Sequence, residues 1–110
     1  MIWPHELAYF FGGAFLANAM PHVVSGAMGR AFQTPFAKPP GEGLSSSIVN
    51  VAWGSVNLLV AWFLLARVGA FDVRNVEHVG AAGLAAFLVS MGSAHRFGRF
   101  NGGREPLKGN

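Results

Sequence analysis

The chain has 110 residues, 52% of them hydrophobic and 12% charged, with a net charge of +3 and no cysteine. Ordinary soluble domains carry about one-quarter charged residues, so this composition excludes a typical water-soluble fold. The length leaves no room for a second domain, and the missing thiols exclude disulfides, thiolate metal sites and thiol nucleophiles. Because the apolar residues come in long blocks, the reading is one all-α membrane domain over residues 1–110, a bundle of three transmembrane helices.

The first block runs from Leu7 to Gly29, the second from Ile48 to Val68, and the third from Val79 to about His95. Each comes near the roughly 17–25 residues that a spanning helix needs. The third is the shortest, with an Ala- and Gly-rich interior between His78 and His95. The first block reads as a span and not as a cleaved signal peptide, because Met1-Ile2-Trp3-Pro4-His5-Glu6 supplies no basic stretch ahead of it.

Between the first two spans, Pro35, Pro39, Pro40, Gly41 and Gly43 exclude a regular helix and favour extended or turn backbone. Phe32 and Phe36 should draw this loop back against the helices or into the headgroup layer, as an interfacial anchor or a cover. Ser45, Ser46 and Ser47 are N-cap candidates for the second helix. The connection Gly69 to Glu77 is short and mixed in charge, and the basic, glycine-rich tail 96–110 is expected to be loosely ordered.

Lysine and arginine set the orientation. Arg67 and Arg74 fall on the side of the N-terminus, two in all, against six on the other side: Arg30, Lys38, Arg96, Arg99, Arg104 and Lys108. The positive-inside bias predicts a multi-pass protein of the cell membrane with its N-terminus outside and its C-terminus cytoplasmic. The positive charge then reflects topology and anionic lipid, and no nucleic-acid partner is expected.

Helices in lipid associate through small residues and interhelical hydrogen bonds. On the second helix Ser47, Asn50, Gly54, Asn57 and Ala61 recur at spacings of three and four; on the first, Asn18, His22, Ser25 and Gly29 do so beside Gly26; on the third, Gly83, Ala86, Ser90 and Ser93. Phe10, Phe11, Phe15, Leu16, Leu58, Leu59, Phe63, Leu84, Phe87 and Leu88 are left for acyl chains. Levelling the spans by rise per residue puts His22 and Ser90 about 10 Å inside the cytoplasmic boundary, a level that Asn50 and Gly54 bracket, and Asn18 with Asn57 about 16 Å inside. The expectation is a polar intramembrane cluster of Asn18, His22, Asn50, Asn57 and Ser90, beside a disturbance of the first helix at Pro21. Packing is assigned to Gly26, Gly29, Gly54 and Gly83.

His22 is the ionisable residue within a span and so divides the functional readings: interhelical glue, ligand or proton handling, or a cofactor role. His5 with His78 and His22 with His95 are the pairs a haem would need, but the two histidines of each helix are separated by an offset of roughly 100° around its axis. No metal-site spacing, nucleophile elbow or phosphate loop is present, no internal repeat convinces, and no resemblance to a known family is carried by these residues. The reading is therefore a non-enzymatic accessory or assembly subunit that packs with lipid and other transmembrane helices, as a homo-oligomer or within a larger complex, without a cofactor. The alternatives are an oligomeric transporter or channel using His22, Asn18, Asn50 and Asn57, or a binder of lipid, haem or pigment.

Overall fold

The computed structural model describes residues 3–104; Lys108 and the rest of the tail beyond Arg104 lie outside the described residues. Helix α1 spans Trp3–Ala27, starting earlier than the apolar block does. Pro4 sits in the first turn, where its missing N–H breaks no helical bond, and Glu6 faces the positive end of the helix dipole there. The helix continues through Pro21. It ends in a Schellman turn: Gly29 adopts φ 77°, its N–H donates to the Gly26 carbonyl at 2.9 Å, and the Arg30 N–H donates to Ser25 at 2.8 Å. Gly29, assigned above to helix packing, is exposed with nothing near it, and its φ shows why glycine is needed there: to stop the helix.

The first loop contains a short hairpin. Strand β1, Phe32–Gln33, runs antiparallel to β2, Leu44–Ser45, with Phe32 opposite Ser45 and Gln33 opposite Leu44. Between them the Thr34 carbonyl accepts from the N–H groups of Ala37 and Gly41, which folds the proline-rich turn onto itself.

Helix α2, Ser47–Trp62, is capped by Ser46, whose hydroxyl accepts from the Val49 N–H at 3.2 Å. It continues as a π-helical turn, Phe63–Val68. Helix α3, Val76–Asn101, is capped by Asn75, which accepts from the Glu77 and His78 N–H groups, and stops at Gly102 with φ 85°. The tail expected to be loose from residue 96 is thus helical as far as Asn101. Contacts with the hairpin hold it there: Phe97 packs on Phe32 with ring centres 5.0 Å apart, Asn101 Nδ2 donates to Gln33 Oε1 at 2.9 Å, and the Arg96 guanidinium donates to the Gly41 carbonyl at 3.2 Å.

All three helices are long and apolar enough to cross a membrane. Helix α1 packs against both α2 and α3, which scarcely touch each other, so the bundle is open, with α1 at its centre. Its buried apolar residues are mostly small (Ala8, Ala19, Ala61 and Ala85, with Tyr9), whereas His22, Gln33, Thr34, Asn50 and Asn57 are buried polar groups. Large apolar side chains, among them Phe11, Phe15, Leu16, Leu59, Phe63, Leu84, Phe87 and Leu88, point outward. That inversion suits a chain whose solvent is lipid. Phe10 and Leu58, expected on the lipid faces, are half-buried.

The small-residue line on α3 differs from the one expected. Gly83 is exposed with no atom near an added Cβ, and Ser90 is exposed too. Ala86 and Ser93 of that line are half-buried, but the buried residue is Ala85, beside half-buried Ala82 and Val89. The close approach comes from the other helix: a Cβ at Gly13 of α1 would lie 2.7 Å from the Ala82 Cα. One glycine at the crossing is enough, and α1 supplies it.

Candidate functional site

The polar residues of the site arise where α1, α2 and the hairpin meet. On α2, Asn50, Gly54, Asn57 and Ala61 are all buried, one turn after another along one face. Gly54 lets the helices close: a Cβ there would stand 2.8 Å from the Val23 N and 3.1 Å from the Ala19 carbonyl oxygen. Gly26 does the same one level out, 2.6 Å from Val51 Cγ2, and Gly12, which had no assigned packing role, does so against Leu65.

That proximity brings the amides together. Asn57 Nδ2 donates to the carbonyl of Trp53 at 2.9 Å, so its Oδ1 is the acceptor for Asn18 Nδ2 at 3.0 Å. Asn50 is wholly buried, and its Nδ2 donates to the carbonyls of Phe32, Ser45 and Ser46 at 3.2, 3.1 and 3.0 Å. Its Oδ1 therefore faces His22 Nδ1 at 2.8 Å as an acceptor, which puts a proton on Nδ1. Neutral His22 then carries its lone pair on Nε2. Asn50 thus ties three elements: α1 through His22, the hairpin through Phe32 and Ser45, and its own helix.

Aromatic rings frame the imidazole. Phe32 meets it edge-on at 5.6 Å between ring centres and Trp53 at 6.5 Å, and Phe36 in turn packs edge-on with Trp53 at 4.8 Å. The loop therefore folds back over the helices, although Phe36 itself stays exposed. The hydroxyls of Thr34 and Ser45 bond each other beneath it. A cavity of about 150 Å³ remains between Asn18, His22, Gln33, Thr34, Trp53 and Phe97.

Of the five polar residues grouped from the sequence, Asn18, His22, Asn50 and Asn57 come together. Ser90 does not: it lines a separate groove between α1 and α3, with Ala17, Pro21 and Ser93. The third contributor is the hairpin, through Gln33 and Thr34, which the sequence reading passed over. Their only signal was a polar pair set between Phe32 and Phe36 in an otherwise proline-rich stretch.

The other histidines hold separate places. His78 packs on Tyr9 with ring centres 4.1 Å apart and accepts the Asp72 N–H on Nδ1, while the Tyr9 hydroxyl accepts from the Ala70 N–H. His95 is exposed and bonded by the Arg104 guanidinium through its carbonyl and Nε2. His5 lies half-buried in the first turns of α1. Among the described residues no three metal-binding side chains are grouped. Compared with known proteins, the chain matches no family model, no curated protein and no solved structure.

Proposed function

We propose that this protein is a non-catalytic accessory or assembly subunit of a membrane complex, docking through the outer face of α3. The observation that supports this most is the imbalance of burial: within their most apolar windows, α1 is 33% buried and α3 only 6%. Helix α3 leans on α1 along one edge, and its free face sets Gly80 and Gly83 among Leu84, Phe87 and Met91. Exposed glycines add little to a lipid-facing surface but are the residues that let a further helix approach closely. Partner helices, from other subunits or a second copy, and the surrounding lipid complete the environment.

An oligomeric transporter is less well supported, because the Asn18–Asn57 and His22–Asn50 bonds fasten α1 to α2 within one molecule. In the proposed orientation, the N-terminus is outside and the hairpin, the end of α3 and the tail are cytoplasmic, where the arginines concentrate. Photocrosslinking tests the docking face. A benzoyl-phenylalanine at Gly80 or Gly83 in native membranes should capture a polypeptide, whereas one at Leu59 on the outer face of α2 should capture lipid. Lipid adducts alone from both α3 positions would sink the proposal. A single cysteine introduced as Gly103→Cys tests the orientation and should label only from the cytoplasmic side.

A further inference from the structure

Because α2 and α3 flank α1 without closing on each other, a strip of α1 lies open between them. Ala14, Phe15, Asn18 and His22 recur on it at spacings of three and four and so share one face. Toward the membrane centre, Ala14, Phe15 and Asn18 form with Val89 of α3 an almost wholly apolar trough of about 210 Å³. Toward the hairpin, the same Asn18 lines the 150 Å³ cavity of His22, Gln33 and Thr34. Asn18 is thus common to an apolar trough and a polar pocket, and the hairpin closes the polar end.

The pocket holds hydrogen-bonding capacity that the protein does not use. His22 is only 3% exposed, yet among the described residues its Nε2 lone pair has no partner, since Asn50 engages Nδ1. Gln33, also 3% exposed, gives its Oε1 to Asn101, and its Nε2 hydrogens have no acceptor among the described residues. Asn18 donates to Asn57 and leaves its own Oδ1 free in the same sense. No side-chain nitrogen or oxygen among these is sealed away unpaired, so these atoms face accessible space. Leaving such groups without partners is costly, and a molecule that supplies them gains accordingly.

We propose that this groove binds a membrane-dissolved amphiphile with an uncharged, hydroxyl-bearing head and an alkyl or isoprenoid tail. A hydroxyl gives its proton to His22 Nε2 and accepts from Gln33 Nε2; the tail lies along Ala14, Phe15 and Val89. A ketone or ester head has no proton for the imidazole, and a quaternary ammonium has neither a proton to give nor a lone pair to offer Gln33. A carboxylate would set its charge against the Nε2 lone pair with no cationic side chain lining the pocket. The site stands whether or not α3 docks on another chain, since α1, α2, α3 and the hairpin of one molecule build all of it.

The test is nitrogen NMR of the full chain, labelled with ¹⁵N-histidine, in phosphatidylcholine nanodiscs, with the His22 signal assigned through His22→Gln. Titration with hexadecanol should move the Nε2 resonance in the direction of an accepted hydrogen bond; hexadecane, glycerol and palmitate at equal concentration should not. Ala14→Trp, which fills the trough and leaves His22 and Gln33 themselves unaltered, should weaken the hexadecanol response roughly tenfold, as should Gln33→Leu. An equal response to glycerol would make the pocket a small-solute cavity, and a stronger one to palmitate would make it a site for anions. Either result overturns the proposal, as do silence toward hexadecanol and an Ala14→Trp variant that responds normally.

Discussion

The two contacts that α1 makes are of different kinds. Against α2 it sets Gly26 on Ser47 and Val51 and Ala19 on Gly54, and two side-chain hydrogen bonds cross the interface, Asn18 to Asn57 and His22 to Asn50. Against α3 it sets Gly13 opposite Ala82, and among the described residues no side-chain hydrogen bond joins the two helices. What fixes α3 lies at its ends, His78 on Tyr9 at one and Phe97 with Asn101 on the hairpin at the other. In lipid, where burying an alkyl group between helices gains little, directional bonds and close packing do different work. The first contact is fastened along its length; the second is shape alone, with a large free face behind it.

Substitutions can break this contrast, beginning with the largest expected effect. Gly54→Leu drives a side chain into the backbone of Val23 and parts the Asn18–Asn57 and His22–Asn50 bonds, so it should cost about 3 kcal/mol in a reversible denaturation assay in mixed micelles. Gly13→Leu forces α3 away from α1 but leaves the amides paired; a loss of about 1–2 kcal/mol is expected, with the His22 spectrum unchanged. If Gly13→Leu proved the costlier of the two, the ranking of the contacts would be reversed.

His22→Leu, which strands the Asn50 carbonyl oxygen, should cost about 1–2 kcal/mol, while His22→Gln, which retains a donor at similar reach, should recover most of it. Should the Gln variant be as unstable as the Leu variant, the imidazole would be holding more than the bond to Asn50. At the small end, Gly83→Leu should stay within about 0.5 kcal/mol of the parent in the isolated protein, since nothing stands near that position. In native membranes the same change should lower recovery of whatever docks on α3, and a pronounced loss in the isolated protein would place Gly83 inside a contact.

The fastened contact is also the one most legible in the sequence. Asn50, Gly54, Asn57 and Ala61 stand out because amides are rare in so apolar a segment and their spacing of three and four sets one face. The face of α3 is harder to read, because Ala82, Ala85, Gly83 and Ser90 are all small and differ only in the direction they point. Composition alone gives no phase to such a helix; the phase comes from Gly13 on its neighbour. The hairpin was opaque for another reason. Its prolines announce a loop, but the turn that tucks Gln33 and Thr34 under the helices depends on Asn50 collecting the carbonyls of Phe32 and Ser45, a long-range bond with no local signature. The helical run from Arg96 to Asn101 was hidden likewise, since its support is the same hairpin.

The directional bonds that join α1 to α2 act as pairs, and a double-mutant cycle on His22 and Asn50 measures their coupling. His22→Leu, Asn50→Leu and the double variant, each unfolded reversibly in the same mixed micelles, give the coupling energy. The double variant should be less unstable than the sum of the singles by about 1–2 kcal/mol. Strict additivity of the two losses would contradict it.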